Sequence, residues 1–356
     1  MLDWMSNPNH ADLREALGSK QRTWLVTGCA GFIGSNLVEA LLESGQKVRG
    51  LDNFATGRRS NLDDVQNRVG PEWWTNFEFV EADIRDLDSC RQALDGADIL
   101  LHEAALGSVP RSISDPLNSF SSNVGGFLNL FEAARTGGNP RIVYASSSSV
   151  YGDETALPKR EEKIGRPLSP YAATKYIDEV IAEMMCRTYG LGSVGLRYFN
   201  VFGRRQDPDG PYAAVIPKWI AGMLAGNAVE IYGDGETSRD FCFIDNVVQA
   251  NLRAALINFD GRHRVYNVAL GGRATLNDLF HALRAALDAL GHPVRQEPVY
   301  RDFRQGDVRH SQADVSSIVR DIGFVPQVTM EEGIGRTVKW YVANAVASEA
   351  LEGQQA

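Results

Sequence analysis

Cysteine and histidine are scarce in this sequence of 356 residues, which contains four cysteines and six histidines. The cysteines lack the spacing of a disulfide framework or a metal site, and the histidines form no ligand cluster. The residues concerned are Cys29, Cys90, Cys186 and Cys242, with His102, His281 and His310 among the histidines. We therefore expect free thiols, a reducing compartment and no metal ion.

Long hydrophobic runs are also missing. No segment approaches the roughly twenty apolar residues that cross a bilayer, and residues 1–20 are too polar and charged for a signal peptide. Acidic residues outnumber basic ones by 45 to 36, and the net charge of −9 disfavours a surface for nucleic acid or anionic membranes. We expect a cytoplasmic protein that binds neither.

The N-terminal region contains the pattern of a strand, a glycine turn and a helix. Residues 23–27 predict a short buried strand, and Gly28, Gly31 and Gly34 lead into a run with helical apolar spacing. Glycines at such a turn let a pyrophosphate approach the backbone, and its charge is stabilised by the free N–H groups at the helix start. The pattern indicates a dinucleotide site.

The second predicted strand, residues 47–51, leads to Asp52, close to twenty residues beyond the glycines. A carboxylate at this position can accept hydrogen bonds from both ribose hydroxyls of a dinucleotide. It would also repel a 2′-phosphate, which favours NAD over NADP. Arg58 and Arg59 leave NADP open, because a nearby arginine can accommodate that phosphate.

Strand and helix signals alternate through the following residues, which is the pattern of a parallel sheet with right-handed crossovers. A third strand at 77–81 leads to Asp83 and Ile84, which suit the edge and face of an adenine. Further strands are predicted at 97–102, 140–146 and 195–199, and a long helix at 116–135. We predict an α/β fold, a doubly wound, Rossmann-type parallel sheet with ligands beyond the carboxyl ends of the strands.

A possible general base lies on a predicted helix that begins at Ser169 and Pro170. Tyr171 and Lys175 are four residues apart on this helix, so both side chains lie on one face. A free tyrosine has a pKa of about 10, and a nearby cation favours its phenolate form. With Ser147 at the end of the preceding strand as a hydrogen-bonding hydroxyl, the set predicts proton transfer as well as cofactor binding.

Several motifs in the same order resemble the extended short-chain dehydrogenase/reductases, and within them the bacterial UDP-N-acetylglucosamine 4-epimerase branch, which is similar to the UDP-galactose 4-epimerases. The resemblance covers roughly residues 22–345. The motifs are 27–34, the serine-rich segment 146–152, Tyr171-x-x-x-Lys175, 197–203, 233–241, 304–307, 107–112 and 306–311.

The resemblance implies a nucleotide-sugar 4-epimerase with tightly bound NAD. Tyr171 would be the base, Lys175 its electrostatic partner and Ser147 the hydroxyl that aligns the sugar oxygen. Hydride would leave C4 for NAD, the 4-keto sugar would turn over, and hydride would return to its other face. The implied cofactor-binding residues are Gly28, Gly31, Phe32, Ile33, Gly34, Asp52, Asn53, Thr56, Gly57, Asp83, Ile84, Ala104, Asn123, Lys175 and Tyr198.

The resemblance also implies a site for a UDP-sugar. Arg239 and Arg304 would clamp the diphosphate, Asn200 would bond it, and Asp307 would bind a ribose hydroxyl, while Arg58, Arg111 and Arg309 stay ambiguous. The other implied substrate-binding residues are Ser108, Ser148, Ser149, Ala214, Val215, Tyr232 and Ser311.

Ser311 bears on the choice of sugar. It falls where epimerases restricted to plain hexoses carry a bulky tyrosine, and a small residue leaves room for an N-acetyl group. We therefore predict conversion of UDP-N-acetylglucosamine to UDP-N-acetylgalactosamine.

Other readings stay open. The substrates could be UDP-glucose and UDP-galactose. They could also be UDP-hexuronic acids, because Arg111 could bind a carboxylate. A non-catalytic NAD-dependent sensor is a more distant alternative. The related 4,6-dehydratases and decarboxylases need an acid where this chain has Ser148 and Ser149.

The predicted organisation has three parts. Residues 1–20 would form a helical extension outside the fold, with Leu13 and Leu17 at helical spacing. Residues 21–199 with about 237–270 would form the NAD-binding domain, and about 200–236 with 271–347 a smaller α/β nucleotide-sugar domain. The family resemblance also implies a homodimer built on the helices at 116–135 and 171–189.

Overall fold

The computed structural model describes residues 7–209, 213–256, 260–303 and 308–355, with side chains described up to residue 345. Its strands are β1 Thr23–Thr27, β2 Lys47–Asp52, β3 Phe77–Glu81, β4 Ile99–His102, β5 Arg141–Ser147, β6 Ser193–Tyr198, β7 Val201–Phe202, β8 Glu230–Tyr232, β9 Ser238–Arg239, β10 Cys242–Phe243, β11 Arg264–Val268, β12 Ala274–Thr275 and β13 Val299–Arg301.

The helices flank these strands in the chain. They are α1 Ala11–Gly18, α2 Phe32–Glu43, α3 Arg59–Trp74, α4 Leu87–Leu94, α5 Val109–Ser114, α6 Pro116–Phe120, α7 Gly126–Thr136, α8 Pro170–Tyr189, α9 Val215–Leu224, α10 Ile244–Leu256, α11 Leu276–Ala289, α12 Ser316–Ile322 and α13 Met330–Gln355. Short 3₁₀ helices span Pro8–His10 and Ser148–Tyr151, and α3 is kinked at Gly70.

Seven strands form one parallel sheet in the order β11-β6-β5-β4-β1-β2-β3. The chain adds β2 and β3 on one side of β1 and then crosses over to add β4, β5, β6 and β11 on the other side. The connections therefore leave a crevice between β1 and β4. The register aligns Thr27 with His102 and Ser147 with Tyr198, which places their carboxyl ends at one edge. The predicted doubly wound parallel sheet is confirmed.

Both faces of this sheet are covered. Along β1, Trp24 and Val26 belong to one hydrophobic cluster, whereas Leu25 belongs to a second one. β4 alternates in the same way, with Leu100 in the second cluster and Leu101 in the first. Parallel sheets are typically buried on both faces, and this burial explains why their strands are continuous apolar runs in the sequence.

The predicted helix at 116–135 is present with one irregularity. Between α6 and α7 the chain forms a π-helical turn, Ser121–Gly125, and α7 then continues to Thr136. π-helical turns often occur at functional sites, and here the turn contains Asn123, whose side chain bonds the loop that follows β4.

The N-terminal helix does not lie outside the fold, so that expectation was wrong. Leu13 and Leu17 of α1 are buried in the main hydrophobic cluster, and α1 packs on α10. Asp12 accepts two hydrogen bonds from Arg253 of α10, at 2.8 and 2.9 Å. Because Arg253 is fully buried, it needs a charged partner, and α1 supplies it.

Among the described residues, no helix combines the length and the apolar character needed to cross a membrane. The short strand pairs β10 with β7, β12 with β9 and β13 with β8 lie apart from the main sheet. The division into two domains stays a prediction.

Candidate active site

The glycine turn after β1 depends on the absence of side chains. Gly28 has a φ of +68°, and a Cβ on Gly34 would meet the carbonyl oxygen of Gly28 at 2.1 Å. Gly31 is the N-cap of α2, and no side chain caps the helix there. The first N–H groups of α2 are therefore available to an anion, which the helix dipole also favours.

Asp52 is held at the end of β2 beside this turn. Its carboxylate accepts hydrogen bonds from the backbone N–H groups of Ala30, at 2.9 Å, and Phe54, at 2.8 Å. Burial raises the pKa of Asp52, and these donors oppose the shift. A Cβ on Gly57 would lie 2.9 Å from both carboxylate oxygens, so only glycine permits this close approach. The remaining lone pairs of the carboxylate can accept hydroxyl groups.

The two arginines that left NADP open both have acidic partners. Arg58 forms an ion pair with Asp207 at 2.6 Å and lies 3.6 Å from Asp209. Arg59 lies 3.4 Å from Glu81, and its guanidinium covers the ring of Phe54 at 4.7 Å. These pairings compete with a 2′-phosphate, which favours NAD.

A cavity of about 750 Å³ opens beside the turn and Asp52. Eleven of the predicted cofactor-binding residues lie in its wall, namely Gly28, Gly31, Phe32, Ile33, Gly34, Asp52, Asn53, Thr56, Gly57, Ile84 and Ala104. Other wall residues were not predicted from the sequence, including Phe54, Glu103, Ser122, Arg205, Gln206 and Asp207. Most of these come from loops, whose course a strand and helix pattern does not predict.

Four further predicted cofactor residues are engaged by the protein. Asp83 accepts hydrogen bonds from Asn53 and Arg85, and the Arg85 hydrogen bond lowers the pKa of Asp83 to about 2. Asn123 is buried and bonds the backbone of Leu106. Lys175 and Tyr198 are also buried, and their partners are described below. These four side chains bond other residues of the protein and so shape the site. Their contacts with the cofactor stay predictions.

Helix α8 carries the proposed base. Ser169 caps it by accepting the N–H of Ala172 at 3.1 Å, and Pro170 occupies its first turn, as predicted. The backbone N–H of Tyr171 donates to Ser112 Oγ at 2.9 Å, which ties the start of α8 to α5. Tyr171 is half-buried and Lys175, one turn later, is buried.

Lys175 is held by groups beneath the site. Its Nζ donates to the carbonyl oxygen of Ala145 on β5 at 2.9 Å, and lies 3.4 Å from Asp178 Oδ2. Burial raises the pKa of Asp178 to about 7, against the effect of Lys175. Asp178 was not predicted as a site residue, although its position three residues after Lys175 on a helix brings the two side chains together.

The serine segment after β5 provides hydroxyl groups at the same sheet edge. Ser147 Oγ accepts the N–H of Ser149 at 3.1 Å and so begins the 3₁₀ helix. Ser149 Oγ is buried and has no hydrogen-bond partner among the described residues. A buried hydroxyl without a partner is unfavourable, and a polar ligand would satisfy it.

A buried ion pair is bonded to Ser146, the residue before Ser147. Arg197 binds both carboxylate oxygens of Glu179, at 2.9 and 2.8 Å, and Ser146 Oγ donates to Glu179 at 2.6 Å. The Arg197 guanidinium also covers the ring of Tyr151 at 4.9 Å. The network connects α8, β5 and β6, so the positions of Lys175 and Ser147 depend on one another.

The predicted substrate residues are distributed over several loops. Ser108 caps α5 through the N–H of Arg111, Ala214 lies in the wall of the cavity, and Val215 begins α9. Tyr232 donates to Glu230 at 3.2 Å. Ser148 adjoins Ser149 in the 3₁₀ helix.

The segment around β9 joins other predicted substrate residues. Asn200, with a φ of +36°, donates to the carbonyl oxygen of Asp240. Arg239 donates to the carbonyl oxygens of Ser238 and Arg309, and the N–H of Ser311 donates to the carbonyl of Ser238 at 3.0 Å. Arg304 and Asp307 lie outside the described residues.

Comparison with known proteins agrees with this geometry. Residues 24–269 match the family described as "NAD dependent epimerase/dehydratase family". The chain is 39% identical over 319 residues to the UDP-glucose 4-epimerase of Mycolicibacterium smegmatis, covering 89% of this chain and 97% of that protein.

Two solved structures are similar over nearly their whole length. The UDP-N-acetylglucosamine 4-epimerase of Methanobrevibacter ruminantium, in complex with UDP-N-acetylmuramic acid, is 39% identical with a TM-score of 0.82, covering 91% of this chain and 99% of that one. The UDP-glucose 4-epimerase of Thermus thermophilus, in complex with NAD, is 34% identical with a TM-score of 0.76, covering 90% and 99%.

The position of Asp52 leads to a test of cofactor choice. In protein stripped of its cofactor, Asp52→Ser should weaken NAD binding tenfold or more, because hydrogen bonds to a charged group contribute about 1.5–3 kcal/mol and about 1.4 kcal/mol corresponds to tenfold. The ratio of NADP to NAD affinity should rise as the repulsion is removed. Titration calorimetry measures both affinities. Asp63→Ser on the exposed face of α3 is the matched control. An unchanged NAD affinity in Asp52→Ser would contradict the assignment of Asp52 to the cofactor.

Proposed function

Because the chain belongs to the NAD dependent epimerase/dehydratase family, we propose that it is a UDP-sugar 4-epimerase that interconverts UDP-N-acetylglucosamine and UDP-N-acetylgalactosamine. The observation that carries the proposal is the hydrogen bond from Lys175, one turn after Tyr171 on α8, to Ala145, two residues before Ser147 at the end of β5. The relatives include epimerases named for both plain and N-acetylated sugars, so the choice of sugar rests on residues of this chain.

The cofactor is NAD, and the cavity fits it through the uncapped start of α2 and the carboxylate of Asp52. When bound, NAD provides a reversible acceptor for the hydride of a sugar carbon. The protein's own groups must then move the proton of the 4-hydroxyl, orient the sugar and neutralise its diphosphate.

Tyr171 is the group that takes the proton of the 4-hydroxyl and later returns it. Lys175 is buried one turn along α8 from Tyr171 and donates to the carbonyl oxygen of Ala145 on β5. Ser147 lies at the end of β5 with its oxygen accepting one N–H, which leaves its own proton to donate to the sugar oxygen. These roles give general acid and base catalysis in both directions.

The serines at 148 and 149 favour epimerisation over elimination. A 4,6-dehydratase needs an acid near this position to protonate the leaving hydroxyl, and the side chains here are hydroxyl groups. The buried Ser149 Oγ has no partner among the described residues, so it can bond a polar group of the sugar.

The Nη1 atom of Arg239 donates to two backbone carbonyls from different segments, those of Ser238 and Arg309. A guanidinium fixed in this way loses little side-chain freedom on binding a diphosphate, and its planar geometry suits two phosphate oxygens. Ser311 is half-buried beside the same strand and bonds its backbone. A small side chain at position 311 leaves space for the N-acetyl group of a sugar.

The reaction is tested with Tyr171→Phe and three separate substrates. UDP-N-acetylglucosamine should be converted to its C4 epimer faster than UDP-glucose or UDP-glucuronic acid, and the variant should lose about a hundredfold or more of that rate, because general base catalysis typically contributes about 10²–10⁴-fold. The C4 stereoisomers are resolved by chromatography and NMR.

Tyr189→Phe, at the exposed end of the same helix, is the matched control. An unchanged epimerisation rate in Tyr171→Phe would refute the base. Faster turnover of UDP-glucuronic acid would overturn the sugar choice and would favour a carboxylate contact for Arg111, which lies in the cavity wall.

Sugar size is tested with Ser311→Tyr. The phenol should fill the space beside C2, so turnover of UDP-N-acetylglucosamine should be abolished while UDP-glucose is still converted. Steady-state kinetics with both sugars measure the change. Ser316→Tyr at the exposed start of α12 controls for the added ring. If the N-acetylated sugar is still converted at the original rate, Ser311 does not select the sugar.

We further propose that the protein is a homodimer through α6 and α8. Large apolar side chains on these helices are exposed, namely Leu117, Phe120, Tyr176, Val180 and Met184. A group of this kind on one face often marks a protein interface. The family resemblance gives the helices at 116–135 and 171–189, which include α6 and α8, and burial against the chain's own sheet does not account for these exposed side chains.

The dimer is tested with Val180→Glu. Val180 is 51% exposed, and a charge there would be buried in the interface, so the variant should sediment as a monomer at micromolar concentration while the original chain sediments as a dimer. Val319→Glu, at a residue of α12 that is 42% exposed, is the matched control. A dimeric Val180→Glu variant, or a monomeric original chain, would contradict this interface.

A further inference from the structure

Glu103 is an acidic side chain in the wall of the cofactor cavity, immediately after β4. One of its carboxyl oxygens, Oε1, accepts a hydrogen bond from the hydroxyl of Tyr198 at 2.8 Å. No step assigned above uses Glu103, and a carboxyl group in a largely buried position needs a compensating interaction.

The direction of this hydrogen bond follows from Asn251. The Nδ2 atom of Asn251 lies 2.9 Å from the carbonyl oxygen of Val247 and 2.8 Å from the Tyr198 hydroxyl. A backbone carbonyl can only accept, so the atom that faces it must be the amide nitrogen. Tyr198 therefore accepts from Asn251 and donates its own proton to Glu103.

This chain of hydrogen bonds determines which oxygen of Glu103 can carry a proton. Oε1 is already an acceptor from Tyr198, so the proton of a neutral Glu103 resides on Oε2. The side chain is partly exposed, and it contributes to the cavity wall. We infer that Oε2 is the oxygen that faces the cavity.

Burial favours the neutral form of Glu103 over its carboxylate. Burial raises the pKa of Glu103 to about 8, while the Tyr198 hydrogen bond and Lys175 oppose the shift. Lys175 of α8 is the cation that acts on Glu103, but its ammonium lies 3.4 Å from buried Asp178. One ammonium cannot neutralise two buried carboxylates, so Glu103 keeps its proton near neutral pH.

Three titratable groups on neighbouring strands are uncharged. Burial lowers the pKa of His102 on β4 to about 3, which leaves a neutral ring. Burial also raises the pKa of Tyr198 on β6 and of Cys242 on β10 well above their ordinary values. Lys175 is therefore the charged group that acts on Glu103, and it opposes the effect of burial.

We propose that Glu103 is a hydrogen-bond donor to the bound NAD, with its Oε2–H presented to the cavity because Tyr198, oriented by Asn251, occupies Oε1. The inference rests on the proposed use of NAD. Loss of this proton removes the donor and adds a negative charge beside an anionic cofactor. The reduced form carries one more negative charge than the oxidised form, so its binding is the more sensitive to ionisation of Glu103.

The test measures NADH binding to cofactor-stripped protein between pH 6 and 9.5, without any sugar. If only the protonated form binds well, the apparent Kd of the original chain should rise about tenfold from pH 7 to pH 9, as the competent fraction falls. NADH fluorescence measures the Kd, and the rise for NAD should be smaller.

Glu103→Gln separates the donor from the charge. Its amide oxygen can accept from Tyr198 while its amide nitrogen donates into the cavity, so it imitates the protonated acid at every pH. The Kd for NADH should match that of the original chain at pH 7 and should not rise at pH 9. Glu103→Leu has neither donor nor charge, and its NADH binding should be about tenfold weaker at pH 7 and independent of pH.

Asp178→Asn tests the competition for Lys175. Removing the second carboxylate leaves the ammonium to Glu103, so NADH binding should weaken at a lower pH than in the original chain. The proposal is overturned if NADH binding to Glu103→Gln retains the pH dependence of the original chain, or if Glu103→Leu binds NADH equally well. A chain that binds no NAD or NADH at any pH would instead refute the proposed function.

Discussion

The geometry of this site depends on one buried cation. Lys175 is buried, bonded to the carbonyl of Ala145 near the end of β5 and close to Asp178 on its own helix. A buried ammonium is tolerated only with such partners. Its placement therefore fixes how α8 packs on the sheet, and with it the position of Tyr171.

The surrounding network explains why this helix and this strand edge are one unit. Glu179 follows Asp178 on α8 and binds Arg197 from β6, while Ser146 of β5 donates to the same carboxylate. A change in the tilt of α8 would break several charge-assisted hydrogen bonds at once. Proton transfer between Tyr171 and a sugar needs such rigidity, because a displacement of about 1 Å can cost about a hundredfold in rate.

The cavity combines contributions that differ in their origin. The glycine turn and Asp52 come from one contiguous strand, turn, helix and strand segment, and they provide backbone N–H groups and one carboxylate. The opposite wall, with Arg205, Gln206 and Asp207, comes from a loop far away in the chain. The ion pair between Arg58 and Asp207 joins the two walls.

Much of the fold and part of the site could be read from the sequence. Short-range patterns predicted the strands, the glycine turn, Asp52 and the cap of α8, because hydrogen bonding and apolar periodicity act within a few residues. The same patterns misplaced α1, since they do not reveal that the buried Arg253 requires Asp12 as a partner. They also missed Glu103.

What could and could not be predicted from the sequence follows from the range of the forces involved. The sequence by itself determined the parallel sheet, the dinucleotide turn and the identity of a tyrosine and lysine pair, all of which are set by local spacing. Only the tertiary structure decided which carboxyl groups are influenced by the same ammonium, as Glu103 and Asp178 are by Lys175, because burial and the approach of distant segments control the cost of each charge.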